Sequence, residues 1–197
     1  MTDYHVRPAT LADAEAICRI YNQGIEDRVA TLETDLRTPE ERRQWLAHRS
    51  PRHPVIVAEA ITAPALSREG GSETQPGRTL LRPPTESAGR ADLATTVIGW
   101  GSLNVFNPRE AYRFVADFSI YVERTWRGRG VGRVVLETLI ELARAHGFHK
   151  LVLSAFPFNA GGMALYEALG FRTVGVYREQ GLLDGKWVDT IIMEKLL

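Results

Sequence analysis

Residues 127–132 of this 197-residue chain read RGRGVG, which places three glycines and two arginines between a strand-like run and a strongly helical one. A helix begins with up to four backbone N–H groups that have no partner inside the helix, and with a partial positive charge. Glycines directly before the helix let the backbone approach a ligand closely, so a strand–turn–helix unit of this kind is suited to bind phosphate. Arg127, Arg129 and Arg133 would add charged donors. A solvent-exposed turn rich in glycine and arginine is the alternative interpretation.

The run before this turn, FVADFSIYV at 114–122, alternates with the period of a β-strand. One face is entirely apolar and is predicted to face the core, with Phe114, Ala116, Phe118, Ile120 and Val122. The other face carries a carboxylate, a hydroxyl and a phenol at Asp117, Ser119 and Tyr121. These groups are unusual in a buried strand unless the strand borders a site.

Strand and helix patterns alternate along the rest of the chain. Helices are predicted after the caps Thr10 and Thr38, from Val131 to His146, and within 161–171. The first of them has its apolar stripe at Leu11, Ala14, Ile17, Cys18 and Tyr21. Further strands are predicted at the N-terminus and at 54–60, 95–106, 150–156, 174–177 and 187–194. This order predicts a mixed α/β fold, and the length fits one domain over 1–197.

Residues 61–94 differ from their surroundings, since they are rich in Pro, Gly, Ser, Thr and charge and have no sustained period. We interpret them as a disordered insertion between two strands rather than as a second domain. Lengthening a hairpin loop to this extent costs only about 2 kcal/mol of closure entropy, so the fold tolerates it.

The composition excludes several classes of function. Lys+Arg and Asp+Glu are 24 each, so the chain has no positive surplus for binding nucleic acid or an anionic membrane. The single cysteine, Cys18, allows no internal disulfide, and the five histidines show no zinc-type spacing, so no metal is expected. No apolar run is long enough for a membrane span. We therefore expect a cytoplasmic protein.

Two nucleotide-binding motifs do not fit the glycine turn. A P-loop would end in Gly-Lys-Ser/Thr, whereas Gly132 is followed by Arg133 and Val134. A dinucleotide fingerprint would need an acidic residue at the end of the next strand, and KLVLSAF at 150–156 ends without one.

The turn resembles instead the Arg/Gln-x-x-Gly-x-Gly pyrophosphate loop of the GNAT superfamily of N-acyltransferases. RPATLADAEAICRIYNQGIED, REAYRFVADFSIYVERTWRGRGVG, FNAGGMALYEALGF and the closing GKWVD together are similar to the phosphinothricin N-acetyltransferase group. That group also includes acetyltransferases for methionine sulfoximine and arsinothricin. The resemblance covers the chain except 61–94. It implies a mixed, mostly antiparallel sheet that is splayed in a V around acetyl-CoA, with helices flanking it.

The resemblance also implies which residues bind acetyl-CoA. The backbone near Tyr121 and Val122 would hold the pantetheine and polarise the thioester carbonyl, and Asn159 would contact the cofactor arm. The pyrophosphate would lie on the turn, at Arg127, Gly128, Arg129, Gly130, Val131 and Gly132.

Catalytic roles follow from the same resemblance. Asp117 stands where these relatives usually carry a glutamate that serves as general base, and it is one methylene shorter, which favours a proton relay through water. Tyr166 would protonate the departing thiolate, or it packs as a core aromatic beside Met163 and Leu169. The alternative to a catalytic role for Asp117 is an ion pair with a nearby arginine.

The amino-acid pocket is implied at R109-E-A-Y112-R113, where Arg109, Tyr112 and Arg113 match a lining element, and at Glu26. Guanidinium groups bind carboxylate or phosphinate oxygens bidentately. Asn107 replaces a second basic residue of the family, which weakens the case for phosphinothricin and leaves a neutral analogue such as methionine sulfone or sulfoximine open.

The expected function is therefore acetyl transfer from acetyl-CoA to the α-amine of a small amino acid, by direct attack in a ternary complex. A protein N-terminal acetyltransferase and a non-catalytic acyl-CoA sensor are the alternatives. The resemblance alone implies a homodimer.

Overall fold

The structure is a computed structural model that describes residues 4–62 and 94–197. The described residues form seven strands: β1 (Tyr4–Pro8), β2 (Val55–Thr62), β3 (Ala94–Val105), β4 (Val115–Val122), β5 (Lys150–Ala155), β6 (Arg172–Leu183) and β7 (Lys186–Leu196). They also form four α-helices: α1 (Ala14–Glu26), α2 (Pro39–Ala47), α3 (Val131–Ala145) and α4 (Ala160–Ala168). Short 3₁₀ turns lie at Leu11–Asp13, Glu110–Tyr112 and Arg124–Trp126. Among these helices none is both long enough and apolar enough to span a bilayer.

All seven strands form one sheet in the order β1-β2-β3-β4-β5-β7-β6. Every neighbouring pair is antiparallel except β4 and β5, which are parallel. The β4–β5 pairing covers only Val115–Asp117 against Lys150–Val152, although both strands continue beyond it. The two strands therefore separate after Asp117, which confirms the predicted mixed, mostly antiparallel sheet splayed in a V.

Apolar side chains pack on both faces of this sheet. One face buries the stripe of α3, with Val131, Val135, Leu136, Leu139 and Ala143, against strand residues that include Ala116 and Phe118. The other face packs α1, through Ile17, Ile20 and Ile25, on Val57 and Trp100. The alternation in β4 therefore places its apolar side against α3, as the sequence predicted, and its polar side, including Asp117, toward the face of α1.

Two residues expected in the core lie outside it. Leu11 is 47% exposed because it belongs to the 3₁₀ turn before α1, and Phe114 is 43% exposed because β4 begins one residue later. Of the two predicted caps, Thr38 is confirmed, since it caps α2 in a capping box with Glu41. Thr10 lies instead at the start of the 3₁₀ turn that precedes α1, and Asp13 is the N-cap of that helix.

The predicted insertion at 61–94 has slightly different limits, because Ile61 and Thr62 belong to β2 and Ala94 begins β3. Residues 63–93 lie outside the described residues, so their predicted disorder stays a prediction. Thr62 and Ala94 are direct partners in the β2–β3 ladder, as in a hairpin.

We expect that replacing residues 63–93 by the dipeptide Asn-Gly leaves the fold and acetyl-CoA affinity unchanged. The reason is that Thr62 and Ala94 are already paired, and a two-residue Asn-Gly turn suits such a connection. Thermal unfolding and calorimetric titration with acetyl-CoA measure both properties. Loss of the cooperative transition, or weaker binding by the shortened chain, would show that the replaced residues contribute to the domain.

Candidate active site

The separation of β4 and β5 opens a cleft of about 540 Å³, within the usual range for small-molecule sites. Its walls are the end of β4, the RGRGVG turn and the first turns of α4. Of the residues predicted to bind the cofactor, those that line this cleft are Tyr121, Val122, Arg127, Gly128, Gly130, Gly132 and Asn159. Val131 is buried in the core instead, and the Arg129 guanidinium lies 5.3 Å from the Trp126 ring.

The turn requires glycine at two positions. Gly128 and Gly130 have φ values of +74° and +86°, in the left-handed region that side chains disfavour. Gly130 is the N-cap of α3, and its carbonyl accepts from the N–H groups of Arg133 and Val134. The N–H groups of Val131 and Gly132 are therefore the unpaired donors at the start of α3 within the described part of the chain. The turn therefore presents backbone donors to the cleft, and its predicted role in binding an anion stays a prediction.

Arg127 is held at the rim of the cleft by the end of α1. Its Nη1 lies 2.5 Å from Oδ2 of Asp27, and its Nε donates to the Val122 carbonyl at 3.2 Å. Hydrogen bonds from Arg124 and then from Arg127 hold the pKa of Asp27 below its usual range. This exposed ion-pair network connects α1 to the turn and keeps one guanidinium beside the cleft.

The edge of β4 that faces the cleft belongs to Ile120 and Val122. The Glu123 N–H donates to the Ile98 carbonyl across the β3–β4 pair at 2.8 Å, and the register of that pair is regular. Because backbone groups alternate in direction along an antiparallel strand, those of Tyr121 face β3, whereas those of Ile120 and Val122 face the gap. The backbone contact predicted for Tyr121 and Val122 is thus available from Ile120 and Val122, and Tyr121 lines the cleft through its side chain.

The Tyr121 ring is fixed by close packing. It is stacked on Trp100 with ring centroids 4.9 Å apart, and its edge contacts Tyr21 at 4.8 Å. A Cβ at Gly24 would lie 2.8 Å from Tyr121 Cε1, so the glycine allows α1 to approach the ring. This contact sets the position of α1 against the cleft.

Asn159 lies at the opposite wall and caps α4. Its Oδ1 accepts from the Gly162 N–H at 3.0 Å. A second helix N-terminus therefore faces the cleft beside the one of α3.

Asp117 lies where the β4–β5 pairing ends, opposite Asn104 of β3. Burial raises the pKa of Asp117 to about 6, although hydrogen bonds from the Asn104 side chain and the Phe118 N–H oppose the increase. Asn104 is itself oriented, since its Nδ2 donates to Ser119 Oγ at 3.1 Å and its Oδ1 accepts from Ser102 at 3.0 Å. Asp117 is therefore ionised at neutral pH with a pKa suited to accepting a proton.

Tyr166 of α4 lines the cleft and also packs against the core. Its ring lies 5.9 Å from that of Phe118 and 6.2 Å from that of Phe171. Burial, together with the charge of Asp117, raises the pKa of Tyr166 to about 12, so its hydroxyl keeps its proton at neutral pH. Both interpretations of Tyr166 are compatible with this position.

The residues predicted to bind the amino acid do not line this cleft. Glu26 is half-exposed and pairs with Arg124 at 3.1 Å. Arg109, Tyr112 and Arg113 line a separate cavity of about 160 Å³ at the β3–β4 connection, and Arg113 pairs with Glu110 at 3.1 Å. Their role in binding the substrate stays a prediction. In this single chain they lie outside the cleft.

Sequence reasoning missed two residues that support the site, Asn104 and Asp27. Ser102 and Asn104 alternate with apolar residues in β3, and this period-2 signal could have indicated a polar partner for Asp117. Asp27 gave no comparable signal, because its partner Arg127 is 100 residues away in the sequence.

Within residues 4–62 and 94–197, no group of three or more His, Cys, Asp or Glu side chains is arranged to hold a metal ion. The cleft thus offers backbone donors and the Tyr166 phenol, whereas the Asp117 carboxylate is partly buried where β4 and β5 separate and does not line the cleft.

Comparisons with known proteins agree with this geometry. The sequence profile of the acetyltransferase (GNAT) family matches residues 26–171. The chain is 27% identical, over 190 residues, to the L-methionine sulfoximine/L-methionine sulfone acetyltransferase of Pseudomonas aeruginosa, covering 96% of this chain and 92% of the relative.

Two solved structures are similar over nearly the whole chain. The phosphinothricin acetyltransferase from Sinorhizobium meliloti in complex with acetyl-CoA superposes with a TM-score of 0.77 at 27% identity, covering 100% of this chain and 89% of that one. The ribosomal-protein-alanine N-acetyltransferase from Brucella melitensis gives a TM-score of 0.76 at 31% identity, covering 98% and 99%.

We expect Gly132→Val to fold normally and to weaken acetyl-CoA binding by ~10-fold or more, which corresponds to about 1.4 kcal/mol. Gly132 has an ordinary helical backbone, and a Cβ there would lie 3.3 Å from Leu165 and 3.6 Å from Val122, within the cleft. Gly175→Val is the matched control, because Gly175 lies in β6 with open space around it. Calorimetric titration measures the affinity, and equal affinities for the two variants would place the pyrophosphate elsewhere.

Proposed function

Because the chain belongs to the acetyltransferase (GNAT) family, it is an acetyl-CoA-dependent N-acetyltransferase, and we propose that its acceptor is the α-amine of a small amino acid or analogue. The amine attacks the thioester directly while both substrates are bound. The observation that carries the proposal is the position of Asp117, a carboxylate with a pKa of about 6 at the point where β4 and β5 separate.

The cleft fits acetyl-CoA in three respects. The donors of the 128–132 turn and the start of α3 suit the pyrophosphate, and Arg127 adds a charge at the rim. The backbone groups of Ile120 and the N–H of Val122, which face the gap, suit the amide-containing pantetheine arm. The thioester carbonyl then lies beside this edge, where an N–H group stabilises the oxyanion of the tetrahedral intermediate.

The reaction needs the acceptor amine in its neutral form. An α-ammonium group has a pKa of about 7.7–8.0 in a peptide and is mostly protonated near neutrality. Asp117 takes this proton, directly or through one water, and the nitrogen lone pair forms a bond to the carbonyl carbon. The C–S bond then breaks, and the sulfur leaves as thiolate.

Tyr166 supplies the proton for that thiolate. Its pKa of about 12 keeps the phenol protonated before the reaction, and its position in the wall of the cleft suits donation to the sulfur. Tyr166→Phe would keep the packing of the ring on Phe118 and remove only the hydroxyl that donates the proton.

The names of the relatives support a small amino-acid analogue as acceptor, since they describe enzymes for methionine sulfoximine, methionine sulfone and phosphinothricin. A protein N-terminus is the second candidate, favoured by the 31% identity to a ribosomal-protein-alanine N-acetyltransferase. The third possibility, a non-catalytic sensor, is disfavoured by the family match and by the ionisable Asp117.

Homodimerisation stays a prediction. The β6–β7 hairpin supports it by exposing large apolar side chains at the free edge of the sheet, namely Val174, Val176, Tyr177, Leu182 and Trp187.

We expect Asp117→Asn to lower kcat by ~10²–10⁴-fold with nearly unchanged acetyl-CoA affinity, because it removes the base and keeps the shape. The wild-type rate should fall as the pH decreases through about 6, where the carboxylate becomes protonated, and Asp117→Asn should lack this acid limb. Asp117→Glu keeps a carboxylate and should retain most of the activity. A thiol assay of CoA release measures the rates.

The acceptor panel for this assay contains methionine sulfone, phosphinothricin and a peptide that begins with alanine. Release of CoA with the amino acids alone supports the proposal, and release with the peptide alone establishes the second candidate. Wild-type kcat in Asp117→Asn at neutral pH, with chemistry rate-limiting, would exclude Asp117 as the base.

A further inference from the structure

The acceptor amine and the proposed base are separated along β4. In the proposed complex the thioester carbonyl lies beside the backbone edge of Ile120 and Val122, whereas Asp117 comes three residues before Ile120. Strand residues are spaced about 3.3 Å apart, so this separation is roughly 10 Å. Because an aspartate side chain is too short to cover it, the proton needs an intermediate group.

The amine reaches the thioester from the polar face of β4. The other face is closed, because the side chains of Ile120 and Val122 pack against the core that contains the apolar stripe of α3. On the polar face, Ser119 lies midway in the strand between Asp117 and Tyr121, whose side chain lines the cleft. Asp117 and Ser119 are both only partly buried, so water reaches them from this side.

The hydroxyl of Ser119 is oriented by a neighbouring amide. Ser102, which is 1% exposed, donates to Oδ1 of Asn104 at 3.0 Å. The amide N–H₂ group of Asn104 is thereby turned toward Ser119, and its Nδ2 donates to Ser119 Oγ at 3.1 Å. Among the residues that the structure describes, this is the one hydrogen bond that the Ser119 side chain forms. The proton of Ser119 therefore points away from Asn104 and is available to another acceptor.

The same amide brings Ser119 close to the base. Asn104 is the cross-strand partner of Asp117, and its side chain also donates a hydrogen bond to the carboxylate. Two acceptors of one amide N–H₂ group lie about 5 Å apart, which one water molecule spans with two hydrogen bonds. The carboxylate of Asp117, one water and the hydroxyl of Ser119 thus make a continuous path toward the cleft.

A serine hydroxyl has the groups that a proton relay requires. It has one proton to donate and two lone pairs that accept. Asn104 uses one lone pair of Ser119, and the second is left for an ammonium group that approaches from the cleft.

We propose that Ser119 relays the proton from the acceptor amine to Asp117. The inference rests on the proposed function and adds a residue to its mechanism. The ammonium group gives a proton to Ser119 Oγ, the Ser119 O–H gives its proton to the bridging water, and the water gives one to the carboxylate of Asp117. One proton thus moves from nitrogen to carboxylate, and the hydroxyl and the water are regenerated. The nitrogen lone pair that is set free then forms the bond to the thioester carbon.

Removal of the Ser119 hydroxyl tests the relay. With methionine sulfone near neutral pH, we expect Ser119→Ala to lower kcat by ~10-fold or more and to leave acetyl-CoA affinity unchanged. Ser119→Thr keeps a hydroxyl and should retain most of the activity. Thr95→Val is the matched control, because it removes a hydroxyl from an exposed position of β3. The thiol assay measures kcat, and calorimetric titration measures the affinity.

The pH dependence separates a relay from a structural role. Above the pKa of its ammonium group the acceptor is already neutral, so the rate of Ser119→Ala should approach that of the wild type between about pH 7 and about pH 9.5. Asp117 is ionised over this range, and burial raises the pKa values of the Tyr21, Tyr121 and Tyr166 phenols above their ordinary value of 10.0. A deficit that stays constant over the range would overturn the relay.

A double variant tests whether Ser119 and Asp117 belong to one path. Ser119→Ala combined with Asp117→Asn should be no slower than Asp117→Asn alone, since the path is already interrupted. If the two effects multiply instead, Ser119 acts outside the path and the inference is wrong.

The outcomes separate this inference from the proposed function. If the wild type acetylates methionine sulfone and Ser119→Ala is equally fast near neutral pH, only the relay fails. If the alanine peptide is the sole acceptor, the proposed acceptor class fails, and the same variants test the relay with the peptide. If the wild type releases CoA with none of these acceptors, the proposed function fails and the relay fails with it.

Discussion

The site depends on the loss of pairing between β4 and β5 after Asp117. Three residue pairs hold the two parallel strands together. Beyond them both strands continue, but they no longer pair with each other. The backbone groups of Ile120 and the N–H of Val122 are therefore free to bond a substrate, whereas the Val122 carbonyl accepts from Arg127. A sheet normally satisfies such groups within itself, so a free interior edge has to be filled by a ligand or by water. The turn at 127–132 then places the start of α3 at the open end of the same gap.

Burial of the Asp117 carboxylate where β4 and β5 separate lowers the free energy of unfolding at neutral pH. The pKa of Asp117 is raised from 3.8 to about 6 in the folded chain, so the native state binds the proton more tightly than the unfolded state does. Below about pH 4 the group is protonated in both states and the cost is absent. As the pH rises through about 6 the folded chain must ionise it, which lowers the free energy of unfolding by up to about 3 kcal/mol. A buried carboxylate that is costly at neutral pH, without an arginine or lysine among the causes of its shift, is more consistent with proton transfer than with a structural ion pair.

Much of this arrangement could be predicted from the sequence, because its signals are local. The alternation of 114–122 predicted which side of β4 is core, and the glycines of the turn predicted a tight turn with unpaired backbone N–H groups at the start of α3. The sequence did not predict contacts between distant residues, such as the ion pair of Asp27 with Arg127. The substrate residues expected at 109–113 illustrate the same limit, since strand pairing places them in a separate cavity.

The titration of Asp117 in the folded protein tests the central claim most directly. With ¹³C-labelled aspartate, the carboxyl resonance assigned by its loss in Asp117→Asn should titrate near pH 6, and the acid limb of kcat should have the same midpoint. A midpoint near 4, the ordinary value for an aspartate, or an acid limb that keeps its midpoint near 6 in Asp117→Asn, would contradict the account.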